Sequence, residues 1–204
     1  LLGLTVFLSG LIGSFSKRYL HRDQGFLRFF FLLLLFAFGA SLAFTPRSLD
    51  LLVAGWELVG LTSVLLIAFF VERREPVRSA LRTFGIYKIS DLGLLLGVFV
   101  LHHVVGSASC RALFQGAWPD QRTVISGTAA SIVGLLFLFA ACGKSAQVPF
   151  SGWLPWAMEG PTPSSAIFYG AISVHLGVYL LLRSEAILLV SSLVPAAIVL
   201  VGLL

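Results

Sequence analysis

Long apolar runs separated by short polar ones cover most of the chain. A helix needs about 20 apolar residues to cross hydrocarbon. On that measure the pattern predicts spans near 1–15, 26–45, 49–71, 80–101, 124–144, 163–182 and 186–204. The runs are continuously apolar rather than alternating, which excludes a closed β-barrel. The expected fold is therefore all-α: a polytopic transmembrane helix bundle of about seven helices, forming one transmembrane domain over 1–204. The chain opens within "LLGLTVFLSGLIGSF" and stops within "AAIVLVGLL". Both outer runs are accordingly expected to be parts of spans in a longer protein.

Composition reinforces the pattern. Of 204 residues, 58% are hydrophobic and 11% charged, and the mean hydropathy is +0.98. That much apolar surface cannot be hidden in a soluble core of this size. The net charge of +5 does not point to nucleic acid, because the cations sit in short loops between apolar runs. Lys17, Arg18, Arg22, Arg28, Arg73, Arg74, Arg78 and Arg82 fall on one side, and Arg47, Arg111, Arg122 and Arg183 on the other. This asymmetry places the first group in the cytoplasm of a bacterial inner (plasma) membrane. Cys110 and Cys142 lie far apart with no CxxC spacing, which argues against a disulfide framework or a zinc site. Nucleotide, flavin, quinone and iron–sulfur signatures are absent, so no cofactor is expected.

Four charges remain at membrane depth: Glu57 in "AGWELVGLTS", Lys88 and Asp91 in "YKISDLG", and Lys144 in "AACGKSAQVP". Each costs roughly 2.5–3.5 kcal/mol at a helix centre on insertion scales. Two of each sign favour pairing in a polar seam between helices, where a group can change protonation when its partner moves. Lys88 and Asp91 are three apart and share one helix face. The alternative is that these groups only fasten helices or snorkel to an interface.

Pro149 cannot donate to the Ser145 carbonyl and clashes with it, so the helix is expected to break just after Lys144, freeing carbonyls beside the amine. Broken helices at depth commonly line ion sites. Alternatively the span ends at the interface, with Trp153 and Trp156 as belt aromatics. His175, mid-span in "FYGAISVHLGVYLLLR", suits either a proton relay or a helix–helix hydrogen bond. His102 and His103 are expected at an interface, and His21 in a cytoplasmic loop.

The segments "GFLRFFFLLLLFAFG", "LLVAGWELVGLTSVLLIAFF", "GKSAQVPFSGWLPWAMEGPTP" and "GVYLLLR" resemble the antiporter-like family. That family includes the largest antiporter-like membrane subunit of respiratory complex I and the large subunit of Mrp sodium/proton antiporters. The resemblance implies a subunit of about fourteen helices with two inverted five-helix repeats, of which this chain holds the first, at about 26–183. It further implies that Glu57 and Lys144 form a central charge pair, and that Lys88 and Asp91 stand where the family has arginine and aspartate. Where complex I relatives carry a histidine this chain has Tyr169, and a histidine follows at His175. That pattern is more similar to the membrane subunit of DAB-type inorganic-carbon transporters, which implies a zinc carbonic-anhydrase-like partner.

The leading expectation is thus cation translocation, of protons through Glu57, Lys144, Lys88, Asp91 and His175, energising inorganic-carbon uptake. The alternatives are a proton-pumping subunit of NADH:quinone oxidoreductase beside other complex I subunits, a sodium/proton antiporter subunit, or an inert membrane scaffold. No covalent chemistry is expected of the chain itself.

Overall fold

The computed structural model describes residues 1–105, 125–168 and 172–204. Cys110, Arg111, Asp120, Arg122 and Tyr169 lie outside the described residues. Those described form the helices α1 (Leu2–Tyr19), α2 (Phe26–Phe44), α3 (Leu49–Ile67), α4 (Arg74–Val105), α5 (Gly127–Lys144), α6 (Trp153–Trp156), a single 3₁₀ turn (Ala157–Glu159), α7 (Thr162–Phe168), α8 (His175–Arg183), α9 (Glu185–Leu188) and α10 (Leu193–Leu203). Among the described residues, α2 to α5 are long and apolar enough to cross a membrane.

The long helices stand in antiparallel succession, with α2 against α3, α3 against α4 and α4 against α5; α1 flanks α2, and α8 flanks α5. Side-chain caps start two of them. Ser48 Oγ accepts from Leu51 N at 3.3 Å at the head of α3, and Ser126 Oγ accepts from Ala129 N at 3.2 Å at the head of α5. The core is continuous across the row and includes Phe29, Phe36, Leu52, Trp56, Val59 and Phe137, all buried. Leu27, Phe31, Leu34, Phe99 and Leu182, by contrast, point outward, as expected where lipid is the solvent.

α4 is longer than the expected 80–101. At 1.5 Å per residue it runs about 48 Å, beyond the roughly 30 Å of hydrocarbon. Its extra turns carry Arg74, Arg78 and Arg82 out of the apolar layer, and Pro76 fits because it lies in the first turn, where no amide donor is needed. Three cations stack on aromatic rings at this end of the bundle: Arg28 over Phe69 at 5.0 Å, Arg73 over Phe70 at 4.8 Å and Arg82 over Trp156 at 4.9 Å. Arg28 also donates to the Phe69 carbonyl. These contacts lock together the side with the cationic excess.

Three expected spans are corrected. The run 49–71 is helical only to Ile67, after which the chain turns. The run 163–182 is divided into α7 and α8. There the ladder loosens: Ile172 N bonds five residues back to Ile167 O, and His175 N and Leu176 N bond only three back, to Ile172 O and Ser173 O. The run 186–204 is divided too, because Ser191 Oγ caps Leu193 N at 3.3 Å and bonds Ser131 Oγ at 2.7 Å. A serine held in this way favours a turn over a continuing helix.

The break after Lys144 stands where it was expected, but its cause differs. α5 ends at Lys144, Ala146 adopts a left-handed φ of 52°, and Gln147 N bonds Cys142 O at 2.8 Å. This is a Schellman cap with alanine where glycine is usual. Pro149 follows three residues beyond the left-handed position and prevents resumption rather than causing the stop. Nor are the last carbonyls free. Ala141 O accepts from Ser145 N, Cys142 O from Gln147 N, and Gly143 O from Trp153 Nε1 at 2.8 Å. An alanine held left-handed is strained by roughly 1–2 kcal/mol, partly offset in glycine by its looser unfolded state. Ala146→Gly is therefore expected to stabilise the full-length subunit by up to about 1 kcal/mol, and Ala146→Val to destabilise it, as read by denaturation in detergent.

Candidate functional site

α3, α4 and α5 bring the four intramembrane charges into one neighbourhood. Glu57 leaves α3 toward the outside of the row and makes an ion pair with Lys88 of α4, with side chains 29% and 48% exposed respectively. One residue earlier on α3, Trp56 is fully buried, and both of its polar groups are used. Its indole Nε1 donates to Asp91 Oδ1 at 2.6 Å, while its carbonyl accepts from Lys144 Nζ at 3.1 Å. Asp91 is 2% exposed and Lys144 0%.

The Lys144 ammonium thus lies among three helices. It sits 5.1 Å from the centre of the Trp56 ring and 4.5 Å from that of Tyr87. Aromatic faces attract cations, and do so more strongly away from water. Asp91 and Glu57 bring negative charge to its surroundings and Lys88 positive charge. Space for the ammonium comes from Gly60: a Cβ there would stand 2.7 Å from Lys144 Nζ. Gly60 lies one turn on from Trp56, so the motif "GWELVG" supplies the carbonyl, the ring and the hollow from a single face of α3.

The expected direct pairing of Glu57 with Lys144 is therefore not the contact observed. Glu57 is joined to Lys88, and Lys144 is joined to the backbone of the residue beside Glu57. The reason is geometric. Trp56 and Gly60 occupy the face of α3 that meets the Lys144 side chain, whereas Glu57, 100° further round the helix, turns toward Lys88 on the flank of α4.

Trp153 is not a belt aromatic. It is buried, donates to Gly143 O and packs edge-on against Tyr87 at 5.0 Å between ring centres. Trp156, 39% exposed, is the aromatic that lies at the surface. α6 with its 3₁₀ turn packs against α4. His175 stands exposed at the start of α8, outside the charge cluster. His102 Nε2 lies 3.8 Å from Asp50 Oδ1 at the opposite end of the bundle, both largely exposed.

Sequence reasoning missed Trp56, Gly60 and Tyr87. Trp56 and Gly60 flank Glu57, and Tyr87 adjoins Lys88, so adjacency was the only available signal.

A bundle of membrane-length helices that encloses an amine and a carboxylate defines a multi-pass integral membrane protein with ionisable groups held inside it. Residues 47–204 match the family described as NADH:quinone oxidoreductase/Mrp antiporter, TM, and the chain belongs to that antiporter-like family. It is 37% identical over 198 residues to NADH-ubiquinone oxidoreductase chain 5 of Schizophyllum commune, covering 97% of this chain and 28% of that protein. It is also 37% identical over 195 residues to NADH-quinone oxidoreductase subunit L of Mycobacterium tuberculosis (strain ATCC 25618 / H37Rv), covering 96% and 30%. Among solved structures, one chain of the Mrp complex from Dietzia sp. DQ12-45-1b matches with a TM-score of 0.80 at 29% identity, over 91% of this chain and 20% of that one. The chain spans under a third of the length of these relatives.

Proposed function

We propose that the protein is a proton-translocating, antiporter-like subunit of an NADH:quinone oxidoreductase-type complex in a bacterial inner membrane. Lys144 is its central proton carrier. The observation that carries this reading is the enclosure of the Lys144 ammonium: 0% exposed, held by one carbonyl and two rings, and attracted by carboxylates from two other helices. A lysine serving only to fasten helices would be expected in a closed ion pair. This one instead rests on a carbonyl and two ring faces rather than on a carboxylate in direct contact.

Glu57 is the element that moves. Paired with Lys88, its charge is largely committed elsewhere; turned toward Lys144, it favours the ammonium form. Asp91 stays fixed by the Trp56 indole and supplies a constant field. Lys88 sets the balance by competing for Glu57. His175, exposed at the head of α8, is a candidate for the next station.

The respiratory names of the relatives support this reading over the inorganic-carbon branch and its zinc carbonic-anhydrase-like partner. That branch leaned on the segment "SDLGLLLGVFVLHH", on Tyr169, outside the described residues, and on His175, which stands apart from the cluster. The likeness to the Mrp complex keeps sodium/proton antiport as a second reading, distinguished by sodium dependence of the flux.

Glu57→Gln in the full-length subunit, assembled with its partner subunits and reconstituted in vesicles, is expected to slow proton flux about tenfold or more, with assembly retained. Flux followed with a pH-sensitive dye checks it. Unchanged flux would remove the proposal.

A further inference from the structure

The enclosure of Lys144 raises a question about where its proton goes. Its observed bond is to a backbone carbonyl, which accepts a hydrogen bond but does not pass a proton onward. Asp91 Oδ1 is already bonded to the Trp56 indole. Solvent does not reach the amine.

Beside it lie two hydroxyls that nothing so far explains. Tyr87, whose ring faces the ammonium, is 1% exposed, and Ser173 is 0% exposed. The two hydroxyls lie close to each other, yet among the described residues Tyr87 Oη and Ser173 Oγ each lack a hydrogen bond of ordinary geometry. Buried hydroxyls left in that condition are unfavourable and rare. A water bonded to both would satisfy them, as buried waters commonly do for otherwise unpaired polar groups.

Their position is equally specific. Ser173 lies in the interruption between α7 and α8, two residues before His175. The same interruption is tied to the break after Lys144, because Ser145 Oγ donates to Val174 O at 2.5 Å. The two helix breaks are thus fastened together, with the hydroxyl pair beside the join. Gly177, the third residue of α8, continues the close approach: a Cβ there would meet Ala141 O at 2.7 Å.

We propose that Tyr87 and Ser173 hold a water and with it form the proton path between the Lys144 amine and the exposed head of α8 at His175. The inference rests on the reading of Lys144 as a proton carrier. Each hydroxyl is both donor and acceptor, so the transfer balances without a charged intermediate on either residue. The ammonium gives one proton to the nearest oxygen. That oxygen releases its own to the next, and the last oxygen delivers one toward His175. Each oxygen keeps the number of protons it began with, and reorientation resets the row.

The test uses the full-length subunit in its complex, reconstituted in vesicles. Tyr87→Phe and Ser173→Ala remove one oxygen each and leave the packing nearly intact; Ser173→Thr keeps the hydroxyl. The first two variants are expected to slow proton flux roughly tenfold. The double variant should be no slower than the slower single, since both lie on one path, and Ser173→Thr should retain most of the flux. Unfolding temperature should fall only slightly in Tyr87→Phe, which gives up a single bond to the water. Flux within about twofold of wild type in both Tyr87→Phe and Ser173→Ala, with Glu57→Gln slow, overturns the path and leaves the carrier reading standing. Flux preserved in Glu57→Gln as well overturns both.

Discussion

Lys144→Ala is expected to lower proton flux at least a hundredfold while the complex still assembles, and its effect on stability should be separable from its effect on transport. Removing the amine leaves the Asp91 carboxylate, 2% exposed, with one cation fewer near it. Breaking a closed buried ion pair typically costs about 3–5 kcal/mol. Lys144 and Asp91 are joined through Trp56 rather than directly, and the indole bond persists, so a loss below that range is expected. Adding Asp91→Asn should recover part of the loss, because the residue left behind is then neutral and can still accept from the indole. The non-additivity should be about 1–3 kcal/mol, measured by denaturation of the purified subunit in detergent. Transport should not recover with it. If the double variant regains flux along with stability, Lys144 is glue and the carrier reading fails.

That separation matters because lipid makes any internal charge conspicuous. The cost of burying ions in hydrocarbon is the reason Glu57, Lys88, Asp91 and Lys144 could be singled out from sequence. The spacing of apolar runs likewise located α2, α3 and α5 to within four residues at each end, and α4, which runs six residues further at its start, less closely. Pairing was another matter. Which acid meets which amine depends on the rotation of each helix about its axis, and a 100° step between adjacent residues decides it. Trp56 turns to Lys144 and Glu57 to Lys88. A tryptophan and a glycine inside an apolar run carry no sign of this, since either fits as core packing. The break after Lys144 was marked by Pro149, but the residue that turns the chain is Ala146, a poor left-handed former with no signature. The interruption before His175 depends on three-residue and five-residue hydrogen bonds and on Ser173. The apolar count over 163–182 is blind to those details.

The same geometry makes two glycines behave in opposite ways. At Gly93, two residues from Asp91 on α4, a Cβ would stand 2.6 Å from Leu136 O and 3.3 Å from Ala140 N. Both are backbone atoms of α5, and neither can turn aside. Gly93→Leu must therefore drive α4 off α5, carrying Asp91 and Tyr87 away from Lys144. A loss of at least about 3 kcal/mol is expected, at the upper end for overpacking, with little assembled complex recovered on solubilisation. At Gly60 the obstacle is the tip of the Lys144 side chain, 2.7 Å away, with Tyr87 Cδ2 next at 3.6 Å. The methyl group of Gly60→Ala displaces the ammonium from the Trp56 carbonyl without parting the helices. Assembly should survive and flux should fall, because the carrier is moved from the place where Glu57 and Asp91 act on it. In a Lys144→Ala background, Gly60→Ala should have no further effect on stability. A loss there as large as in wild type would mean that Gly60 serves helix packing, and the hollow for the ammonium would be a misreading.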